Sequence, residues 1–188
     1  MSLIPAFEIG VWNAWVLTIW IILLVVVLFL VTKIPEAKVE YSSVSSKTER
    51  NACSAYHITV FLIIIYSIFL PLKLGTTWFY VGLTVYLLGM ITYMIVMVNF
   101  ATTPLEQEPI SKGVYRYSRH PMYLSSLIVL IGVGIASASW LILLLSALYM
   151  VFTVIAVPAE ERFLVQQYGD AYREYMDSTP RWIGIPKS

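Results

Sequence analysis

The chain has 188 residues, 59% of them apolar and only 12% charged, with a formal net charge of +1. A soluble domain carries about 25% charge, so the composition excludes a soluble globule and a disordered chain, and the near-neutral balance leaves no basic footprint for nucleic acid. Cys53 is the single cysteine, so no internal disulfide can form, and no Cys/His spacing fits a metal site.

A helix needs about 20 apolar residues to cross a hydrocarbon core about 30 Å thick. Five uncharged runs approach that length. The first, Val11 to Thr32, has Trp12 and Trp15 at one end and Lys33 at the other. Nothing basic precedes it and no small-residue cleavage site follows it, so it reads as a retained span and not a leader. The second, Ile58 to Leu72, is short and closed by Pro71 and Lys73; the third, Trp78 to Phe100, opens on the interfacial aromatics Trp78 and Tyr80. The fourth and fifth, Met122 to Ala138 and Trp140 to Val157, are parted by Ser139 and its small neighbours, which predicts a tight antiparallel hairpin.

The fold class expected is an all-α integral membrane protein of five transmembrane helices and a C-terminal amphipathic helix. Residues 1–100 would form a three-helix part and 101–188 a catalytic part, together one domain. With five spans, eleven of the twelve Lys and Arg residues fall on one side and Lys73 alone on the other. The positive-inside rule then puts the N-terminus outside and the tail in the cytoplasm.

Chemistry is expected where the basic loops meet. In Gly113-Val-Tyr-Arg-Tyr-Ser-Arg-His-Pro-Met-Tyr123, Pro121 suits the first position of the fourth helix, where a missing N–H costs nothing. The free N–H groups of that turn, with Arg119 beside them, would form an anion pocket; a plain basic and aromatic interface anchor explains the same spacing. Glu160 and Glu161 leave the fifth span next to Pro158, a potential kink, at a depth where charge needs a partner or a task. Adjacent helical positions point about 100° apart, so one carboxylate should face His120 and Tyr123 while the other pairs with Arg119 or Arg162. Beyond them Phe163, Leu164, Tyr168, Tyr172 and Tyr175 recur at helical spacing, the pattern of an amphipathic helix on the interface or over the loop. Pro180-Arg181-Trp182 returns an arginine and an indole toward the membrane.

Other patterns read as packing. Met90, Met94 and Met97 form one stripe, and Gly82, Tyr86, Gly89 and Tyr93 another. Gly132-Val-Gly134 lies inside an apolar span with no strand before it, which rejects a dinucleotide loop. His57 reads as an interfacial side chain.

Arg119-His120-Pro121-x-Tyr123, the hydrophobic hairpin, Glu160-Glu161 and then Tyr168-Gly169-x-x-Tyr172-x-x-Tyr175 resemble the isoprenylcysteine carboxyl methyltransferase family and its relatives, the membrane phospholipid methyltransferases. The resemblance spans Glu106 to Trp182. It implies an enzyme using S-adenosylmethionine without a Rossmann domain. The cofactor-binding residues it implies are Gln107, Glu108, Pro109, Ile110, Tyr115, His120, Pro121, Met122, Tyr123 and Glu160, and the catalytic set is Glu160, His120 and Arg119, with no obligatory base and no metal. The implied partners are membrane lipid and a lipophilic or prenylated acceptor entering from the bilayer, first of all a prenylcysteine-like carboxylate. One departure concerns that acceptor: Ala156 stands where eukaryotic members resemble each other in an arginine assigned to the carboxylate. The alternatives are a phospholipid N-methyltransferase, an NADPH-dependent membrane reductase of the sterol-reductase type, and a non-catalytic membrane subunit.

Overall fold

The computed structural model describes residues 8–31, 45–103 and 108–186, with backbone alone over 24, 25 and 27–31. The described residues form six α-helices: α1 (Trp15–Val31), α2 (Lys47–Ile68), α3 (Thr77–Thr102), α4 (Pro121–Ala136), α5 (Trp140–Tyr168) and α6 (Asp170–Ser178). One 3₁₀ turn, Gly113–Arg116, precedes α4, and no strand occurs among the described residues beyond an isolated bridge between Asn13 and Pro71.

Three of these helices, α2, α3 and α5, are long and apolar enough to cross a membrane. The other two expected spans are shorter, α1 having 17 residues and α4 16. The second span was expected from Ile58, but its helix starts at Lys47, because Ser46 and Glu49 close a capping box that satisfies the first amides (2.7 and 3.2 Å). The fifth runs through Pro158 to Tyr168 as one helix. Phe163 to Tyr168 therefore belong to α5, and the amphipathic helix expected as one piece is cut at Gly169, whose φ of 60° an L side chain would resist.

The helices assemble as two pairs, α3 on α4 and α2 on α5, which the α4–α5 hairpin joins; α1 leans on α2. The α3–α4 seam is close because small residues meet backbone there. A Cβ added at Gly82 would lie 2.1 Å from the Ala136 nitrogen, and one at Gly132 would lie 2.5 Å from the Tyr86 nitrogen. The glycine stripe of α3 and Gly132 are thus packing positions. Polar ties cross the apolar interior: Thr18 and Ser67 share a hydrogen bond of 2.7 Å, and the Tyr86 hydroxyl donates to the Leu17 carbonyl at 2.8 Å.

At one end of the bundle Ala14 N–H donates to Leu70 O (2.8 Å), Leu72 N–H to Trp12 O (3.0 Å) and Lys73 N–H to Ala136 O (3.1 Å). The start of α1 and the ends of α2 and α4 therefore meet there. The opposite end gathers the start of α2, the loop before α4 and the end of α5, as the 2.6 Å pair of Glu49 with Arg162 attests. Outward faces are apolar, with Leu88, Ile91, Leu144 and Val151 all more than half exposed, a surface that lipid would cover.

Candidate functional site

A cavity of about 820 Å³ lies between the helices and reaches the loop before α4 and the end of α5. Its walls come from every helix: Ile22 and Val26 of α1, Tyr56, His57 and Phe61 of α2, Met90 and Tyr93 of α3, residues 120–123 of α4, Tyr149 and Glu160 of α5, and Tyr172 and Tyr175 of α6. The lining is aliphatic and aromatic with few polar groups, the composition of a site for a partly apolar ligand.

The two glutamates divide their tasks. The Glu160 carboxylate faces the cavity, where Oε2 accepts the Tyr123 hydroxyl at 3.0 Å and lies 3.9 Å from Nδ1 of His120. Glu161 turns into the protein, 3% exposed, and is the centre of a charge cluster. Its Oε1 accepts Arg119 Nε (3.0 Å), Arg119 Nη2 (2.9 Å) and His120 Nε2 (3.2 Å); its Oε2 accepts Arg181 Nη2 at 2.5 Å, with Arg181 Nε at 3.1 Å from both oxygens. A carboxylate this buried needs such partners.

Local structure places the other side chains. Pro121 stands first in α4, and Ser118 Oγ accepts the His120 N–H at 3.1 Å. Gly113 sits at φ 62° where a Cβ would strike the Asn99 side chain at 2.2 Å, so only glycine lets the 3₁₀ turn press Tyr115 onto α3. The Tyr175 hydroxyl donates to the Tyr115 carbonyl at 2.7 Å, closing a cluster of Val96, Tyr115, Tyr172 and Tyr175 with Met122 against it. Burial, with the charge of Glu160 behind it, raises the Tyr115 phenol above its ordinary range, and burial does the same at Tyr172 and Tyr175, so these phenols stay neutral.

Of the residues expected at the site, Pro109, Ile110, Tyr115, Arg119, His120, Pro121, Met122, Tyr123 and Glu160 line the cavity. Gln107 lies outside the described residues. Glu108 is exposed and not part of the wall. Arg119 requires a correction. Its expected pairing with one of the two glutamates is present, Nε and Nη2 being bonded to Glu161, but the same guanidinium is therefore not available to a ligand anion, since Nη1 caps α6 by donating to Met176 O (2.7 Å) and Thr179 O (3.1 Å). Arg162, the other basic partner considered, pairs with Glu49 instead. Ala156 is buried in the helix packing and does not line the cavity.

Sequence reasoning missed Arg181 and the contribution of α2. Tyr56 and His57 stack at 4.0 Å, with His57 Nδ1 2.7 Å from the Cys53 carbonyl, and both rings line the cavity, so His57 is not merely interfacial. Of the methionine stripe Met90 lines the cavity, Met94 faces outward and Met97 is buried. A signal for Arg181 was present: a buried acid needs cations, and Arg181 is among the few left in the tail.

The phospholipid methyltransferase family model matches residues 71–171 of the chain. That is more than half its length, from the loop before α3 to the start of α6. The chain belongs to the phospholipid methyltransferase family. A search of curated proteins gives no significant match. Membership implies a membrane methyltransferase, in keeping with the apolar helices, and the matched stretch contains the 3₁₀ turn, the His-Pro turn and both glutamates, while Arg181 lies beyond its end.

Proposed function

We propose that the cavity binds S-adenosylmethionine at its polar end and a lipophilic methyl acceptor along its apolar walls. The observation that carries this reading is the orientation of Glu160: Tyr123 holds it in the wall of an apolar cavity while Glu161, one residue on, carries the structural ion pairs. The residues suit such a donor. Ligand cavities run to about 300–1,000 Å³, and at about 820 Å³ this one has room for a nucleoside and part of an acyl chain. Glu160 would receive the donor's ammonium or ribose hydroxyls, Tyr115 offers a face for adenine, and the first turn of α4 offers N–H groups for its carboxylate.

When bound, S-adenosylmethionine supplies an electrophilic sulfonium methyl. What the chain's residues do is align and exclude water. Proximity of this kind contributes on the order of 7–11 kcal/mol, so His120 and Glu160 have an orienting task, and Arg119 acts through Glu161.

The acceptor follows from charge. Among the described residues that line the cavity, Arg119 holds the only guanidinium, and Glu161 and two carbonyls engage it. A prenylcysteine-like carboxylate, the acceptor first implied by the resemblance, would enter beside Glu160 without a guanidinium to meet it. An amine-bearing phospholipid headgroup brings its nitrogen, not an anion, to the wall beside Glu160, where the proton the amine gives up on methylation can pass to that carboxylate or to water while the phosphate stays outside at the interface, and this is the acceptor we favour. The same shortage speaks against NADPH, whose 2′-phosphate wants clustered cations.

In this reading α1 and α4 are embedded with the three long helices, giving five spans. The cavity mouth faces the cytoplasm and the N-terminus lies outside, on the asymmetry of Lys and Arg. Purified protein given radiolabelled S-adenosylmethionine with vesicles of phosphatidylethanolamine, or with a prenylcysteine analogue, tests the assignment. Label in the phospholipid fraction is the expected result, label in the prenylcysteine reverses the choice of acceptor, and label in neither counts against both.

A further inference from the structure

The charge cluster is completed from a part of the chain that the family match does not reach. After α6, residues 179–184 run back over the loop before α4: Arg119 N–H donates to Pro180 O (3.0 Å), Ser118 Oγ to Arg181 O (3.4 Å) and Gly184 N–H to Tyr117 O (3.1 Å). From this strap Arg181 reaches Glu161, and Trp182 brings its ring within 5.9 Å of that of His120. Among the described residues, Oε2 of Glu161 takes its hydrogen bonds from Arg181 alone, since both Arg119 contacts are to Oε1.

That division bears on His120. A carboxylate only accepts, so the hydrogen on the His120 ring that meets Glu161 sits on Nε2. In the neutral ring Nδ1 is then an acceptor, 3.9 Å from the Oε2 of Glu160, itself an acceptor. Two acceptors so placed do not bond each other, and an N–H-bearing cation between them would bond both. Without Arg181, Oε2 of Glu161 is a buried anion with no donor, and rotating the carboxylate toward Arg119 recovers one at the expense of the bond to His120.

We propose that Arg181 is a positioning residue of the site: acting through Glu161, it keeps the ring hydrogen of His120 on Nε2, so that Nδ1, the nitrogen nearer Glu160, is an acceptor and completes a two-acceptor seat for the ammonium group of the methyl donor. The ligand half of this rests on the methyltransferase reading, whereas the state of the ring does not. The C-terminal strap is then part of the binding machinery and not only an anchor.

The test is ¹⁵N nuclear magnetic resonance of histidine-labelled, full-length protein in micelles, with the second of the two histidines assigned by His57→Gln, beside calorimetric titration with S-adenosylmethionine. In the wild type the His120 nitrogens should show the Nε2–H form. In Arg181→Ala they should converge as the two tautomers average, with affinity at least tenfold weaker, and Arg181→Lys, which keeps the charge, should recover part of both. Arg162→Ala, which breaks the Glu49 pair at the same end of the bundle, should leave the ring signals unchanged. An unaltered ring in Arg181→Ala, a Lys variant as disturbed as the Ala variant, or equal disturbance in Arg162→Ala would each overturn the proposal. Ring signals that respond as described in a protein that binds no S-adenosylmethionine would uphold the positioning of His120 and sink the methyltransferase reading instead.

Discussion

The Tyr123 hydroxyl, in the first turn of α4, reaches across to Glu160 in the last third of α5 and donates to it at 3.0 Å. This bond joins the two halves of the site and sets the direction of the cavity's carboxylate. Removing the hydroxyl while keeping the ring tests that function, together with the hydroxyl's smaller contact with Tyr56. Hydrogen bonds to a charged group contribute about 1.5–3 kcal/mol, so Tyr123→Phe should weaken S-adenosylmethionine binding on the order of tenfold, read by calorimetry, while Phe at 123 keeps the packing against Tyr56.

Neighbouring glutamates should fail differently. Glu161→Ala leaves the Arg119 guanidinium, 8% exposed, facing Arg181 with no anion between them, a loss of about 3–5 kcal/mol. Glu160 is 35% exposed and bears no structural ion pair with an arginine, so Glu160→Ala should cost under about 1 kcal/mol. Thermal unfolding in detergent should therefore separate the two variants, with only Glu161→Ala melting well below the wild type.

The seam between α3 and α4 carries the site, because α4 presents His120 to Tyr123 from its first turn. A methyl group at Gly82 would have to occupy the space of the Ala136 backbone. Gly82→Ala should destabilise the fold by about 1–3 kcal/mol through overpacking. Leu88→Ala, on the outward face at 59% exposure, should stay within about 0.5 kcal/mol. Melting temperatures of the two variants check the contrast.

How much of this was legible in the residues depends on the kind of signal. Long apolar runs and the small residues around Ser139 marked the α4–α5 hairpin, and Pro121 marked the start of α4, because hydrophobic length and a missing N–H are local properties. The divergent facing of Glu160 and Glu161 followed from helical geometry, which sets adjacent side chains about 100° apart. The start of α2 was hidden, since Lys47 to Cys53 is polar and its helix depends on the Ser46 capping box and on packing against α5. The pairing of Arg119 with a glutamate was legible from the same helical geometry, but its full engagement was not, because the demand of a buried Glu161 for two guanidiniums, one arriving from the strap, is a tertiary fact. The break at Gly169 was obscured by a tyrosine period that runs through both α5 and α6.

Calorimetric titration of the purified wild-type protein with S-adenosylmethionine and, separately, with NADPH, repeated on Glu160→Ala and His120→Ala, tests the site most directly. Saturable binding of S-adenosylmethionine alone, lost in both folded variants, is the predicted result. Equal binding in the wild type and both variants, or a preference for NADPH, would contradict it.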